Sequence, residues 1–286
     1  MDKLKNTSRL CLKFLIATFR HFNQSDGWAM SSHVALSLML SLFPFLIFAT
    51  ALAGFLGNEI RTAEMVEFVF ESWPDEIAAP IIREINNVLT NGNFGFLTFG
   101  IGLALLFASN GVEAVRVALN RAYRDDDDRS ILVQRIQSVI FVIVGALLIL
   151  VVSTLLVFVP NFPILSNNSA VIFKHILESE PLRLTFALMI LVLVLFACHY
   201  WLPVRRRPIA QIMPGISLTL LLWIISARLF SHYVAVIADY STTYAGLAGI
   251  MTALIFLYLM AVVLIYGAEV NYELERTRRA DHLASA

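Results

Sequence analysis

Charge is what this chain has least of. Of its 286 residues, 15% are charged and 58% hydrophobic, whereas soluble domains run at about 25% and about 45–50%. Together with a mean hydropathy of +0.75, the double shift fits a chain whose solvent is mostly lipid. The few charges cancel, 21 basic against 21 acidic, so there is no global basic field of the kind nucleic acid requires. Cysteine is scarce as well. Cys11 and Cys198 lie far apart, which excludes a disulfide framework and leaves them as small hydrophobes, buried or facing lipid. The six histidines, His21, His33, His175, His199, His232 and His282, are scattered, with no His–His or His–Asp spacing suited to a metal. No glycine-rich phosphate loop is present, which argues against ATP-driven work by this chain alone. The Asp125–Asp128 run lacks the spaced ligands and glycine of a calcium loop and is expected to be a solvated turn. No catalytic, metal or cofactor-binding residue is therefore assigned. The basic N-terminus has no short apolar core followed by a small-residue cleavage site, so it does not resemble a removable signal peptide and the first span should remain as an anchor.

What the chain does have is long apolar runs. The stretch from Trp28 to Leu56 carries no Asp, Glu, Lys or Arg, and runs of about 18 or more apolar residues read as membrane spans. The runs are continuous and do not break into alternating segments of about ten residues, so helices are indicated and a barrel is not. The expectation is an all-α bundle forming a single integral membrane domain over 1–286. Six transmembrane helices lie near 29–56, 94–109, 136–159, 182–202, 209–227 and 244–267. Residues 1–27, with an apolar face that includes Leu10 and Phe14 and with Lys3, Lys5, Arg9, Lys13 and Arg20, read as an interfacial amphipathic helix. Residues 57–92 are acidic, and Ile77, Ile81, Ile85 and Val88 recur at helical spacing within them.

Arginine and lysine near span ends prefer the cytoplasm. They are concentrated in residues 1–27, in the connection after the second span, at Arg205–Arg207 and in the tail 268–286, and are sparse in the other connections. The alternation places both termini in the cytoplasm, 57–92 in the periplasm, and the chain in a bacterial inner membrane.

Several segments resemble a known family when read in order: Ser31 to Pro44 (SSHVALSLMLSLFP), Asn110-Gly111-Val112-Glu113-Ala114, Leu119 to Tyr123 (LNRAY), Leu202-Pro203, Pro214-Gly215, Phe230 to Tyr233 (FSHY), Tyr244 to Gly249 (YAGLAG) and Gly267 to Asn271 (GAEVN). Their order and spacing are similar to the YihY/BrkB family of bacterial inner-membrane proteins, over nearly the whole chain. The resemblance implies a six-span membrane protein of largely undefined biochemistry, whose members have carried a ribonuclease BN label and a link to virulence. His33 departs from the small or aromatic residue the resemblance leads one to expect.

Candidate site residues form three groups. His33, Ser37, Ser41 and Pro44 share one face of the first span, either packing against neighbouring helices or lining a cavity. Asn110, Glu113, Val117, Asn120, Arg121 and Arg124 fall on one helical stripe, with Arg116 one turn after Glu113. Glu113 and Arg116 either line the mouth of a cavity or form an ion pair that ends the helix. Glu269, beside Asn271, is expected to approach Arg116 or Arg121 and tie spans two and six. Gly246 and Gly249 suit close helix packing, Pro214-Gly215 suits a kink or hinge, and Arg228 is expected to snorkel outward.

The favoured function is a transporter or lipid-handling permease, with membrane lipids as partners. The alternative is a non-transporting envelope scaffold or assembly subunit that docks an envelope protein through 57–92. An enzymatic, ribonuclease role finds no supporting residue set.

Overall fold

The computed structural model describes Phe14 and residues 16–55, 94–158, 180–237 and 245–285. The described residues form helices and short connections, with no strand among them. After a helical stretch over 16–24 come α1 (Gly27–Phe55), α2 (Phe94–Tyr123), α3 (Ile131–Phe158), α4 (Glu180–Trp201), α5 (Ile209–Ile237) and α6 (Ala245–Ser285). The acidic segment 57–92, Cys11, Lys174 and His175 lie outside the described residues, and so does the amphipathic helix expected in 57–92.

Among the described residues, five helices are long and apolar enough to cross a membrane: Gly27–Ala53, Phe99–Tyr123, Ile131–Val152, Ile209–Tyr233 and Gly249–Arg279. The fourth of the six expected spans is represented by a shorter apolar stretch, Thr185–Trp201. The whole of α4, Glu180–Trp201, is 22 residues, about 33 Å at about 1.5 Å per residue, which matches an about 30 Å hydrocarbon core.

Three helices also outrun their expected ends. α2 passes residue 109 and continues to Tyr123, α5 passes 227 to reach Ile237, and α6 passes 267 to reach Ser285. For α2 and α6 the reason is that charged residues taken as marking a span's end find partners on neighbouring helices, so the helix need not stop where the apolar run does. α1 runs through Pro44 as one helix.

α2 and α6 form the spine. α1 packs along α2 and against α6, α6 packs on α5 and α2, α3 lies on α2, and α4 rests mainly on α5. The main core joins Val34 of α1, Ala114, Ala118, Leu119 and Ala122 of α2, Ile212 and Ile216 of α5, and Ala261, Ile265 and Ala268 of α6. A second cluster, built on Phe48, Ala104, Ala108, Val142 and Ala146, joins α1, α2 and α3. Alanine dominates where helices meet, as expected when no hydrophobic gain separates helix from lipid and close backbone approach must supply the contact energy. The opposite faces are apolar and exposed: Leu36, Leu40 and Phe43 on α1, and Ile140, Val144, Leu147 and Val151 on α3. Each set repeats at three or four residues, the period of a lipid-facing helix side.

The stretch 16–24 does more than lie on a surface. Thr18, Phe22 and Ser25 are buried, and the Phe22 ring meets Trp28 and Tyr266 edge-on at 5.0 and 6.0 Å. Ile16 and Phe19 remain exposed on its other side. The expected interfacial helix is thus, over its described part, docked into one end of the bundle.

Candidate functional site

That end gathers most of the ion pairs found among the described residues. It brings together residues 21–25, the last turns of α2, the first turns of α3, the end of α4, the start of α5 and residues 267–276 of α6.

The α2 terminus sets the geometry. Arg124 has φ 56°, its amide donates to Arg121 O at 3.2 Å, and the Asp125 amide donates to Asn120 O at 2.9 Å. This is a Schellman ending, in which the left-handed position is usually glycine. An arginine there accepts a backbone cost of about 1–2 kcal/mol. Its side chain then crosses to α6: Nη1 donates to both carboxylate oxygens of Glu269 at 2.7 Å, and Nη2 donates to His21 O at 2.9 Å. The Ser25 hydroxyl donates to Glu269 Oε1 at 2.5 Å. Glu269 is fully buried, and Arg124 keeps 27% of its side chain exposed. One carboxylate therefore holds the N-terminal stretch, α2 and α6 together. Glu269 ties α2 to α6 as anticipated, but through Arg124 in place of Arg116 or Arg121.

Arg116 is buried and serves a different tie. It pairs with Glu113 and with Asp127, and Nη2 donates to Gln134 Oε1 at 3.0 Å. Glu113 also accepts from the Ser138 hydroxyl at 2.9 Å. Asp127 accepts from Asn120 at 3.1 Å and from Arg129 at 2.7 and 2.8 Å. The Arg129 guanidinium so holds the Asp127 carboxyl below its ordinary carboxylate range, because hydrogen bonds to the charged form favour it. Asn120 Oδ1 accepts the Val204 amide at 2.9 Å. Arg129 donates to Leu202 O at 3.2 Å, and Gln137 donates to Trp201 O. The free carbonyls at the end of α4 are thereby capped from α3 and the turn before it.

The acidic run is not simply a solvated turn. Asp126 and Asp128 are exposed, but Asp125 and Asp127 point inward to arginines. Arg207 is clamped between Asp125, at 2.8 and 3.2 Å, and Glu275, at 3.0 Å. Its guanidinium lies 4.0 Å above the Tyr123 ring. The Schellman ending folds the chain back, and this is what turns alternate acids of the run inward.

Deeper in lies a buried, neutral set. Asn271 Nδ2 donates to Tyr123 OH at 3.0 Å and to Ile212 O at 3.1 Å, while its Oδ1 accepts the Gly215 amide at 2.6 Å. Tyr123 OH lies 2.8 Å from His199 Nδ1. Pro214 sits inside α5 and supplies no backbone N–H. The Asn271 amide satisfies backbone groups on either side of it, as a neighbouring helix must where backbone hydrogen bonds are lost away from water. Beside it, Gly215 and Gly267 meet so closely that a Cβ on either would overlap the other's carbonyl oxygen. His199 Nε2 and Thr219 Oγ1 are buried without a hydrogen-bond partner among the described residues.

The α2 stripe divides. Glu113, Arg116 and Asn120 take part in this end, whereas Asn110, Val117 and Arg121 are exposed. Asn110 accepts from Arg135 at 2.8 Å, and Arg121 pairs with Asp26. On α1, His33 is exposed, Ser37 is half-buried and Ser41 is buried. Ser41 sits where a Cβ at Gly111 would fall, so the hydroxyl marks a close α1–α2 contact. Gly249 is half-buried, and the side-chain surroundings of Gly246 lie outside the described residues. Arg228 is exposed, and Cys198 is a free, half-buried thiol. Arg124 belongs to the α2 stripe singled out from sequence, whereas Asp125, Asp127, Arg207, Tyr123, His199 and Ser25 carry much of the network and were not singled out as site residues. The positive φ at Arg124 has no sequence signature, and the inward turn of alternate acids depends on it. Among the described residues, no three His, Cys, Asp or Glu side chains converge as a metal-ligand set.

A bundle of apolar helices with lipid-facing sides and ion pairs gathered at one end defines a multi-pass membrane protein. Its lineage is equally plain: the chain belongs to the virulence factor BrkB family, whose profile matches residues 18–286. It is 31% identical over 272 residues to the putative ribonuclease-like protein YfkH of Bacillus subtilis, covering 94% of this chain and 97% of that one. It is also 25% identical over 273 residues to a UPF0761 membrane protein of Pseudoalteromonas atlantica, covering 91% and 85%. A third relative, UPF0761 membrane protein RC1_0578 of Rhodospirillum centenum, is 24% identical over 263 residues, covering 90% of this chain and 56% of that one. No solved structure matches the chain.

Proposed function

We propose that this protein is a lipid-handling permease of the bacterial inner membrane, with its charged end and both termini in the cytoplasm. The observation that carries the reading is the fully buried Glu269 within an apolar helix, held by Arg124 and Ser25. An ionisable residue inside a membrane-spanning helix is costly and faces a bundle interior where function tends to reside. The Glu269 contacts join the N-terminal stretch, α2 and α6 at a single point, so their release would free those elements together. The unpartnered buried His199 Nε2 and Thr219 Oγ1 add polar atoms to the same interior. The reading assigns no catalytic chemistry. The carboxylates of the charged end are occupied by arginines and caps, and the ribonuclease word in the Bacillus relative's name is not carried over.

The test is reconstitution of the full chain into vesicles containing NBD-labelled phosphatidylethanolamine, with dithionite quenching reporting movement between leaflets. Protein-containing vesicles should lose the protected fluorescence faster than empty ones, and Glu269→Gln should change that rate by about tenfold, the scale of one charge-assisted hydrogen bond. Equal rates with and without protein would remove the lipid-handling reading.

A further inference from the structure

Beside the clamped Arg207 lies a cleft of about 360 Å³, lined by Arg205, Arg206, Arg207, Gln211, Glu275, Arg278 and Arg279 together with Pro208. Five guanidinium groups face one carboxylate across it. That carboxylate, Glu275, is already engaged by Arg207 at 3.0 Å and by Arg279. Arg205, Arg206 and Arg278 have no carboxylate partner among the described residues. All three are exposed, and Arg206 rests against the Tyr200 ring at 5.8 Å. A second cleft, of about 250 Å³, adjoins the first and shares Arg205, Arg207, Glu275 and Arg279, adding Arg124 and Arg276.

Topology alone would require arginines near this end of the bundle, but it would leave them spread out and solvated. Here they converge on one concavity from two separate elements, the α4–α5 turn and α6. Its wall is rigid, because Arg207 is held by Asp125 and Glu275 and lies on Tyr123. Three cations with no carboxylate partner among the described residues repel each other around one hollow, and an anion with several oxygens would relieve that repulsion. Guanidinium forks match phosphate oxygens two at a time. Trp201 and Ile209, on the helices flanking the turn, are exposed, so the cleft lies next to surface suited to lipid, within reach of a headgroup as well as of a free anion.

We propose that this cleft is a binding site for a phosphate group, on a lipid headgroup or on a soluble ion. The site goes beyond the permease reading and stands without it, since it requires binding alone and not movement of any molecule across the bilayer.

The test is calorimetric titration of the purified full chain in neutral detergent with three probes: inorganic phosphate, dihexanoyl phosphatidic acid and dihexanoyl phosphatidylcholine. Arg205→Gln, Arg206→Gln and Arg278→Gln, combined and singly, are compared with the unaltered chain. Phosphatidic acid should bind more tightly than phosphatidylcholine, and the triple variant should weaken it at least about tenfold, the loss expected for contacts to charged donors. Binding should also fall as salt rises, because these arginines are exposed. Inorganic phosphate that binds in the same arginine-dependent way identifies a soluble phosphate site, whereas phosphatidic acid binding without it identifies a headgroup site. Should the triple variant not fold, Arg278→Gln alone carries the comparison. Failure of both phosphate probes to bind, equal binding of phosphatidylcholine, or binding indifferent to these arginines overturns the proposal.

Discussion

Glu269 shows how much one side chain can organise when it is denied water. Its carboxylate has no exposed surface, and breaking such a pair by removing one member leaves the other charge buried and unpaired, at about 3–5 kcal/mol. Arg124→Ala is expected at the lower end, about 3 kcal/mol, because Arg124 is 27% exposed and water can enter where it stood. Arg124→Gly loses the same ion pair but relieves the positive φ of 56°, so it should be the milder of the two by about 1 kcal/mol. The double variant Arg124→Ala/Glu269→Ala should cost less than the sum of the single ones, since neither charge is then stranded. Melting of the detergent-purified chain, followed by loss of monodisperse protein on heating, measures all four. A simple sum for the double variant would show that the two residues are not coupled. His21 illustrates the same economy of water: burial lowers its imidazole pKa against the opposing pull of Glu273, and Arg276 Nη1 lies 2.8 Å from Nε2.

At the scale of helices, the α5–α6 contact depends on two glycines and an amide. Gly267→Leu would drive a side chain into Thr219 and the Gly215 carbonyl, an overpacking cost of about 1–3 kcal/mol or more. Asn271→Ala would strand the Gly215 N–H and remove a donor from Tyr123 OH, about 1–3 kcal/mol for an unsatisfied buried group. Asn271→Asp is the sharper probe, because it keeps the acceptor for Gly215 and loses the donor to Ile212 O and Tyr123. Burying an unpaired carboxyl against the Ile212 carbonyl adds a desolvation cost, so Asn271→Asp should be at least as destabilising as Asn271→Ala, and the same melting measurement ranks the three. A close approach on α6 is described at Gly267, while the surroundings of Gly246, where a small-residue face was expected together with Gly249, lie outside the described residues. Glycine spacing alone cannot tell which face of a long helix meets its neighbour. What marks the facing surface is Asn271, whose amide bonds Ile212 O and the Gly215 N–H beside Pro214 of α5.

For the whole molecule the topology turns on α4, a 22-residue helix from Glu180 to Trp201 that should cross the membrane. Single cysteines introduced by Asp126→Cys, Lys174→Cys and Pro208→Cys, in a background of Cys11→Ser/Cys198→Ala, place the connections on either side of α3 and α4. A membrane-impermeant thiol reagent applied to intact cells should label the position-174 thiol alone, and the other two only after permeabilisation. Labelling of positions 174 and 208 from the same side would mean that α4 does not cross and would put the C-terminus on the opposite face from the one expected.

The membrane character of the chain was determined by composition alone. Long runs without charge cannot satisfy backbone polar groups in lipid except as helices, and that holds whatever the packing. The helical class was legible for the same reason; the family was legible from the order and spacing of its motifs, and the polar character of Glu113, Arg116, Asn120, Glu269 and Asn271 because polar residues among so few stand out. Their partners were decided by tertiary structure. A helical stripe on α2 spans both the buried and the exposed side of the helix, so periodicity could not separate Arg116, which faces inward, from Arg121, which faces out. Arg124 reached Glu269 only because a left-handed residue ends α2, and Asp125 and Asp127 turned inward only because the chain folds back there. Pattern along a sequence records which residues share a helix face; which face is covered, and by what, is settled by the crossing of helices distant in the chain.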